Sequence, residues 1–318
     1  MSEEIMRSEH FSAAIAGLIG TGLVAGGMGV LSGVPAFAAP SQRTDSAREA
    51  GRPLAHGEIL SLRLASDRDF RYLAYVPNSI ARGAPMLVSV HGISRNAREH
   101  LRLLAPLAER YGVVLLAPRY GRDRFPSYQR LLPDDRGVRP DALLRAAARE
   151  LAARSGASDR RLYLFGYSGG AQFVHRFAMH WPEQVARYAL GAAGWYTFPD
   201  SGQRYPYGLQ PSRRHDLGGI DLDAFLGLPG LVLVGERDVH KDDALRASRR
   251  LERQQGSSRM ERAGNWVAAV NSAASHRALP APVRFDTLPR SPHSFARSMR
   301  RGGMGEKVFR HFFGAGPR

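Results

Sequence analysis

Short apolar runs alternate with helix-like stretches along most of this 318-residue sequence. Two early runs, at 59–64 and 70–76, are close enough in sequence to pair as antiparallel strands. The later runs are separated mostly by segments with helical patterns, which favours a mostly parallel sheet covered by helices. These later strands are expected at 86–90, 113–118, 161–165, 185–194, 230–235 and 283–288. The alternation therefore predicts an α/β domain over residues 53–318 with eight strands.

The connections between these strands differ in length and character. Helices are expected at 96–110, 141–154, 170–180, 241–253 and 295–313. Residues 196–228, between the sixth and seventh strands, are too many for a plain connection and are rich in aromatic side chains. Long loops of this kind commonly form lids or binding surfaces, so we predict a lid-like insertion there.

The first 40 residues differ from the rest of the chain. Residues 11–34 are almost uncharged, and they are followed by Ala36-Phe37-Ala38, which has the small-residue spacing that a signal peptidase reads. We predict that residues 1–38 are a cleaved export signal, which makes the mature protein periplasmic or extracellular. Residues 39–52 then form a linker. A membrane anchor is the alternative, because the apolar run is long enough to span a bilayer.

The chain is strongly basic, with 45 Lys and Arg residues against 29 Asp and Glu and a net charge of +16. Almost all of the basic residues are arginines, and they are spread over the whole domain rather than gathered in a tail or a stripe. No motif for nucleic-acid binding is present, so we expect no specific nucleic-acid partner and at most weak association with anionic surfaces. The absence of cysteine excludes disulfides and thiolate-bound zinc.

A single serine stands among three glycines at the end of the fifth predicted strand, in the segment "RLYLFGYSGGAQF" at 161–173. The pattern Gly166-x-Ser168-x-Gly170, with a strand before it and a helix after it, is typical of a nucleophile elbow. Small neighbours let the backbone make the sharp turn that exposes the serine at a helix N-terminus. The alternatives are a phosphate-binding loop or an inert turn.

A serine nucleophile needs a base that is oriented by an acid, and in this arrangement the chain order is serine, acid, histidine. Asp238 comes directly after the seventh predicted strand, and His293 comes after the eighth. Both positions lie at the carboxyl ends of strands, where ligands collect. We therefore predict that Ser168, Asp238 and His293 form a catalytic triad. Asp238 could instead cap a following helix.

Other residues remain as alternatives for the acid, for the base and for the oxyanion donors. Asp242 and Asp243 are the other candidate acids, and His240 and His276 are the other candidate bases. The segment "VHGISRN" ends the third strand, and we predict that the backbone N–H groups of Ile93 and Gly169 form an oxyanion hole. His91 in the same segment is expected to be structural.

These segments resemble the α/β-hydrolase superfamily over about residues 58–313. Within it, the "RLYLFGYSGG" turn, the long segment after Trp195 and the late "PHSF" histidine look like those of secreted polyhydroxyalkanoate depolymerases and feruloyl or acetyl-xylan esterases. The resemblance implies the α/β-hydrolase fold, a mostly parallel eight-stranded sheet flanked by helices, with a lid insertion after the sixth strand. Two departures are the His-Gly-Ile-Ser oxyanion segment and the lack of a separate substrate-binding domain.

The sequence thus predicts a serine hydrolase that cleaves carboxylic esters through an acyl-Ser168 intermediate. Its substrate is a small or polymeric ester, such as a polyhydroxyalkanoate or a feruloyl or acetyl ester. Tyr167 and Trp195 are the predicted substrate-binding residues, and neither a metal nor an organic cofactor is expected. The alternatives are a peptidase or lipase of the same fold, or a non-catalytic protein that binds anionic envelope polymers.

Overall fold

The computed structural model of the protein describes residues 53–212, 219–239, 242, 245, 246, 248–280 and 283–316. The predicted export signal at 1–38 and the linker at 39–52 lie outside the described residues, as do His240 and Asp243. None of the helices in the described ranges is both long enough and apolar enough to cross a membrane.

All eight predicted strands are present in one sheet. They are β1 (Ile59–Leu64), β2 (Asp67–Tyr75), β3 (Met86–Val90), β4 (Val114–Arg119), β5 (Leu162–Tyr167), β6 (Val185–Gly191), β7 (Gly230–Gly235) and β8 (Val283–Leu288). The strand order is β1-β2-β4-β3-β5-β6-β7-β8. Only β2 runs against its neighbours β1 and β4, and the other pairs are parallel. The prediction of a mostly parallel eight-stranded sheet is confirmed.

Helices cover both faces of this sheet. They are α1 (Ala97–Tyr111), α2 (Pro140–Ser155), α3 (Gly169–His180), α4 (Leu222–Leu226), α5 (Arg249–Gln255), α6 (Arg259–Ser275), α7 (Phe295–Arg300) and α8 (Met304–Phe313). Successive side chains of a strand point to opposite faces, and on β2 Tyr72 belongs to one apolar cluster and Leu73 to the other. One cluster packs under α2, α3 and α6, and the other packs under α1 and α8.

The helix predicted at 241–253 is wrong in its first half. The helix α5 begins only at Arg249, because the side chain of Ser248 accepts a hydrogen bond from the Leu251 N–H and caps the helix there. The described residues between Asp238 and Ser248 are not helical. Asp238 therefore does not cap this helix, which removes the structural alternative for that residue.

Two further helical predictions differ from the structure. The closing helix predicted at 295–313 is two helices. Gly303 has a φ of 67°, in the left-handed region, so the chain is not helical at that residue and α8 begins directly after it. The helix α6 was not predicted at all, although Ser258 and Glu261 form an S-x-x-E capping pattern at its start. The side chain of Ser258 accepts a hydrogen bond from the Glu261 N–H at 3.1 Å.

The described part of the insertion at 196–228 is packed against the domain. Tyr196 and Thr197 are fully buried, and the Tyr205 hydroxyl donates a hydrogen bond to the Arg130 carbonyl at 2.9 Å. The side-chain amide of Gln255 bonds both the N–H and the carbonyl of Tyr196, at 2.9 and 2.8 Å. Residues 213–218 lie outside the described ranges, and the role of the insertion as a lid stays a prediction.

Candidate active site

Ser168 occupies a strained turn between β5 and α3. Its φ of 54° and ψ of −116° lie in a region that residues with a Cβ rarely adopt. Such a conformation costs on the order of 1–3 kcal/mol and persists only when the surroundings fix it. Here the Ser168 N–H donates to the Gly191 carbonyl at 2.7 Å. The turn holds the serine side chain above the carboxyl edge of the sheet.

The glycines on either side of the serine are required by close backbone contacts. A Cβ on Gly166 would lie 2.2 Å from the Gly170 carbonyl oxygen, which no structure tolerates. A Cβ on Gly170 would lie 1.9 Å from the Val90 carbonyl oxygen. The absence of these two side chains lets α3 start directly against β3 and β5, so the G-x-S-x-G pattern has a steric explanation.

A chain of hydrogen bonds connects Ser168 to a buried carboxylate. The Nε2 atom of His293 lies 3.1 Å from the Ser168 Oγ, and its Nδ1 lies 2.7 Å from Oδ2 of Asp238. A carboxylate can only accept, so Nδ1 carries the proton and the free electron pair of Nε2 faces the serine hydroxyl. The structure thus brings together the three residues predicted as a triad. Their catalytic role stays a prediction.

Arg259, at the start of α6, holds the other side of the Asp238 carboxylate. Its guanidinium donates to Oδ1 of Asp238 at 2.9 Å and to both oxygens of Asp242 at 2.7 and 3.0 Å. Burial alone would lower the pKa of Arg259, but the bonds to the two carboxylates outweigh it and raise the pKa. Arg259 was not predicted from the sequence. Its helix was not predicted, and no local pattern connects position 259 with Asp238.

The alternative acids and bases lie elsewhere or outside the described ranges. Asp242 contacts Arg259 and has a side chain that is 43% exposed, whereas the Asp238 side chain is 2% exposed. His276 lies at the end of α6 and precedes β8, while His293 follows β8. The two histidines therefore lie at opposite edges of the sheet, and His276 is remote from the carboxyl edge where Ser168 stands.

The predicted oxyanion donors belong to two adjacent segments. Gly169 is the first residue of α3, where a backbone N–H has no partner within the helix. A Cβ on Gly169 would lie 3.4 Å from the Ile93 nitrogen, so the segment that carries Ile93 packs directly against the start of α3. Both residues therefore lie close to Ser168, as an oxyanion hole requires. Their role, like that of the triad, stays a prediction.

Buried aromatic and imidazole groups hold the Ile93 segment in place. The Nδ1–H of His91 donates to the Gly92 carbonyl at 2.8 Å, and its Nε2 accepts from the Tyr120 N–H at 3.2 Å. Burial lowers the pKa of His91 to about 4, so the ring is neutral at pH 7. The Tyr128 hydroxyl donates to the His91 carbonyl at 2.7 Å. Both nitrogens of His91 are thus engaged with backbone, which fits the structural role expected for it.

A cleft of about 310 Å³ opens over Ser168 and His293. Tyr167 belongs to its wall, and its ring stacks on the His293 imidazole with 5.4 Å between the centroids. Trp195 is not among the residues that line this cleft. Its indole packs instead under the guanidinium of Arg176, 4.3 Å from the ring centroid, and against Tyr207. The structure places the two predicted substrate-binding residues in different surroundings.

Within the described ranges, no group of three or more His, Asp or Glu side chains is arranged to hold a metal ion. Other polar groups lie around the cleft. They are the Ser168 hydroxyl bonded to the His293 imidazole, the Asp238 carboxylate behind that imidazole, and the first backbone N–H of α3. This set suits nucleophilic attack on a carbonyl carbon.

Comparison with protein-family models gives no match, and comparison with curated proteins gives none either. Solved structures do match. Poly(aspartic acid) hydrolase-1 from Sphingomonas sp. KT-1 has a TM-score of 0.65 and 26% identity, over 76% of this chain and 93% of that one. A poly(3-hydroxybutyrate) depolymerase from Bordetella parapertussis has a TM-score of 0.68 and 25% identity, over 85% and 96%. The chain has the α/β-hydrolase fold.

Other α/β-hydrolases share this architecture at lower identity. An S-formylglutathione hydrolase from Agrobacterium tumefaciens has a TM-score of 0.52 and 15% identity, over 80% of this chain and 93% of that one. The resemblance of the sequence to the superfamily, and to polyhydroxyalkanoate depolymerases within it, is confirmed. The hydrolase from Sphingomonas sp. KT-1 and the depolymerase from Bordetella parapertussis, at 26% and 25% identity, are both hydrolytic enzymes, which supports a hydrolase of this fold.

Proposed function

We propose that this α/β-hydrolase cleaves carboxylic esters through an acyl intermediate on Ser168. The observation that carries the proposal is the continuous chain of hydrogen bonds from Ser168 through His293 to Asp238, at the floor of an open cleft. A serine hydroxyl is a weak nucleophile at neutral pH, and this chain supplies the base that activates it. The strained turn at Ser168 and the contact between the Ile93 segment and the start of α3 support the proposal.

In the first half of the reaction, Oγ of Ser168 attacks the ester carbonyl carbon while Nε2 of His293 takes the hydroxyl proton. The carbonyl oxygen becomes negative and accepts hydrogen bonds from the N–H groups of Ile93 and Gly169. When the tetrahedral intermediate collapses, the bond to the alcohol oxygen breaks and His293 gives its proton to that oxygen. The alcohol leaves, and the acyl group remains on Ser168.

In the second half, a water molecule attacks the acyl carbon and His293 takes one of its protons. The bond between the acyl carbon and Oγ breaks, His293 returns the proton to Ser168, and the carboxylic acid leaves. Asp238 holds the imidazole in the correct orientation and stabilises its positive charge in both halves. Each oxyanion donor in such a site is worth about 3–4 kcal/mol of barrier reduction.

A second candidate reaction is hydrolysis of the amide backbone of an acidic polymer. One of the structural relatives is named for poly(aspartic acid), and this chain carries a net charge of +16 that would attract such a substrate. The same acyl-serine chemistry serves both reactions, with an amine in place of the alcohol as the leaving group. The ester remains the first proposal because its leaving group departs more easily from an acyl-serine site.

Labelling with a fluorophosphonate, which reacts covalently with activated serines, tests the proposal. We expect wild-type protein to be labelled and Ser168→Ala to be unlabelled. Ser94 lies in the wall of the same cleft, so Ser94→Ala is the matched control and should be labelled like wild type. Folded wild-type protein that takes no label would indicate a non-catalytic binder. A panel of p-nitrophenyl esters of increasing acyl length, with poly(aspartic acid) alongside, then separates the candidate substrates.

A further inference from the structure

Three arginines stand side by side on neighbouring strands at one end of the sheet. Arg63 of β1 pairs with Arg71 of β2, and Arg71 pairs with Arg119 of β4. Residues directly opposite each other on antiparallel strands project from the same face, so the three side chains form one row. All three are exposed. We call Arg63, Arg71 and Arg119 the arginine row.

Such a row is unfavourable for folding. Strands lie about 4.8 Å apart, and like charges directly opposite each other destabilise a sheet. In the described part of the chain, no carboxylate lies within ion-pair distance of any of the three. Asp69, two positions before Arg71 on β2, is paired with Arg136 at 3.0 Å. The row therefore presents uncompensated positive charge to solvent.

The row begins beside the proposed oxyanion segment. Arg119 is the last residue of β4, at the same sheet edge as Ser168. A cavity of about 220 Å³ is lined by Arg71 and Arg119 together with His91 and Arg95, which flank Ile93 in the chain. The guanidinium of Arg95 is fixed by hydrogen bonds to two backbone carbonyls, at 2.5 and 3.1 Å. Positive charge thus extends from the strands to the loop that carries the Ile93 N–H.

The row also continues away from the cleft. Arg71 lines a second and larger groove of about 500 Å³ together with Arg63 and Arg68, beside the edge strand β1. The two cavities share Arg71 as a wall residue. Arginines therefore line a path from the edge of the sheet, across β2 and β4, to the loop above the nucleophile. Three carboxylates also lie along this path, namely Asp69, which is paired with Arg136, and Glu58 and Glu150 in the larger groove. A chain of linked anionic groups could lie along the path.

We propose that the arginine row is a binding track for the carboxylates of an acidic polymer chain whose scissile bond is presented to Ser168. This inference rests on the second candidate reaction proposed above, hydrolysis of an acidic polymer, because it names the class of substrate for that site. Guanidinium groups bind carboxylates with two parallel hydrogen bonds each, and the spacing of neighbouring strands suits anionic groups on successive units of a flexible chain.

The surroundings of the row favour a polycarboxylate over a nucleic acid. Single-stranded nucleic acid binds on exposed aromatic rings that stack with its bases. The rings nearest the row, those of Phe70, Tyr120 and Phe125, are each at most 2% exposed. The track consequently offers charge without a stacking surface. A polymer with a carboxylate on each unit can form ion pairs along the track, whereas nucleic-acid bases have no exposed ring there on which to stack.

Binding of a fluorescein-labelled poly-L-aspartate oligomer, followed by fluorescence anisotropy, tests the track. The Ser168→Ala protein is used so that the probe is not cut. We expect Arg71→Gln/Arg119→Gln in that background to raise the Kd about 10-fold, or about 1.4 kcal/mol for the loss of two exposed ion pairs. The matched control is Arg82→Gln/Arg160→Gln. It removes the same net charge from exposed positions that precede β3 and β5, at the opposite edge of the sheet, and should bind like the parent.

Thermal unfolding shows that the variants are folded, and the row variant should melt no lower than its control because a like-charge contact is relieved. Three results would overturn the track: a row variant that binds like the parent, a control that weakens binding equally, or single-stranded DNA that binds as tightly as poly-L-aspartate. Fluorophosphonate labelling of the wild-type protein is scored separately. If the wild-type protein takes no label but poly-L-aspartate still binds, the proposed enzyme is refuted. If the wild-type protein is labelled but the row variant binds poly-L-aspartate like the parent, the track is refuted.

Discussion

Replacement of Asp238 by asparagine should remove activity without unfolding the protein. The asparagine keeps the size of the side chain, but it offers one carbonyl oxygen to two donors, the His293 Nδ1–H at 2.7 Å and the Arg259 guanidinium at 2.9 Å. If that oxygen faces Arg259, the amide NH2 faces His293. The imidazole then shifts its proton to Nε2, which can no longer accept the proton of Ser168.

The expected loss follows from this change of tautomer. In a triad, the same replacement lowers kcat on the order of 10⁴-fold, because the base is held in the wrong form. Arg259 keeps its two hydrogen bonds to Asp242, so the buried guanidinium is still paired and the fold should survive. Asp242→Asn is the matched control. Its half-exposed carboxylate does not touch His293, and its loss should lower kcat by no more than about 5-fold.

The assay is steady-state hydrolysis of p-nitrophenyl butyrate, with kcat and KM measured for wild type, Asp238→Asn and Asp242→Asn. Urea unfolding of each protein shows whether the loss of rate is a loss of fold. The reasoning is refuted if Asp238→Asn keeps near-full activity while Asp242→Asn abolishes it. The acid would then be Asp242, and the geometry around His293 would have to differ during catalysis.

Three further predictions concern stability and export. Arg259→Met should lower the free energy of unfolding by about 3–5 kcal/mol in urea, because it leaves Asp238 buried without its cation, and an unchanged midpoint would contradict this. Burial lowers the pKa of His180 from 6.5 to about 4. As the pH falls, the histidine is protonated in the unfolded state before it is in the folded state. The free energy of unfolding therefore decreases by up to about 3 kcal/mol between pH 6.5 and pH 4. His180→Leu should flatten this acid slope, and an unaltered slope would refute the cause. Mass spectrometry of the mature protein should find Ala39 at its N-terminus, whereas an intact N-terminus in a membrane fraction would indicate an anchor.

The central strands β3 to β7 were predictable because each is a short apolar run bounded by turn residues, and burial on both faces of a parallel sheet leaves that signature. The run "MLVSV" at 86–90 is fully buried, as its composition suggests. The helix α6 was harder, because its apolar positions are mixed with alanine, serine and asparagine. Its capping pattern at Ser258 and Glu261 was nevertheless present, and attention to it would have located the start of the helix.

The three residues of the predicted triad could be chosen from the sequence because each directly follows a predicted strand. In a parallel sheet the carboxyl ends of strands share one edge, so strand order alone brings such positions close together. Arg259 and Tyr128 could not be found in this way. Arg259 comes from the first turn of α6 and Tyr128 from a short 3-10 helix, Tyr128–Arg130, and only tertiary packing brings them to the Asp238 carboxylate and the His91 carbonyl.

The arginine row could not be predicted from the sequence either. Its members are separated by up to 56 positions in the chain, and each looks like one more surface arginine in a basic protein. The pairing register of β1, β2 and β4 makes them neighbours, and register depends on turns and on long-range pairing. In the sequence the arginines are spread over the whole domain, and the pairing of β1, β2 and β4 brings three of them into one row.

Detection of an acyl group on Ser168 during turnover shows whether this serine is the nucleophile. Wild-type protein is mixed with p-nitrophenyl butyrate, quenched in acid within the first turnovers and digested, and the peptides are sequenced by mass spectrometry. The account predicts a butyryl group on Ser168, and none anywhere in the Ser168→Ala protein. Steady release of p-nitrophenol by the wild-type protein with Ser168 unmodified, or with the butyryl group on another residue such as Ser94, would contradict it.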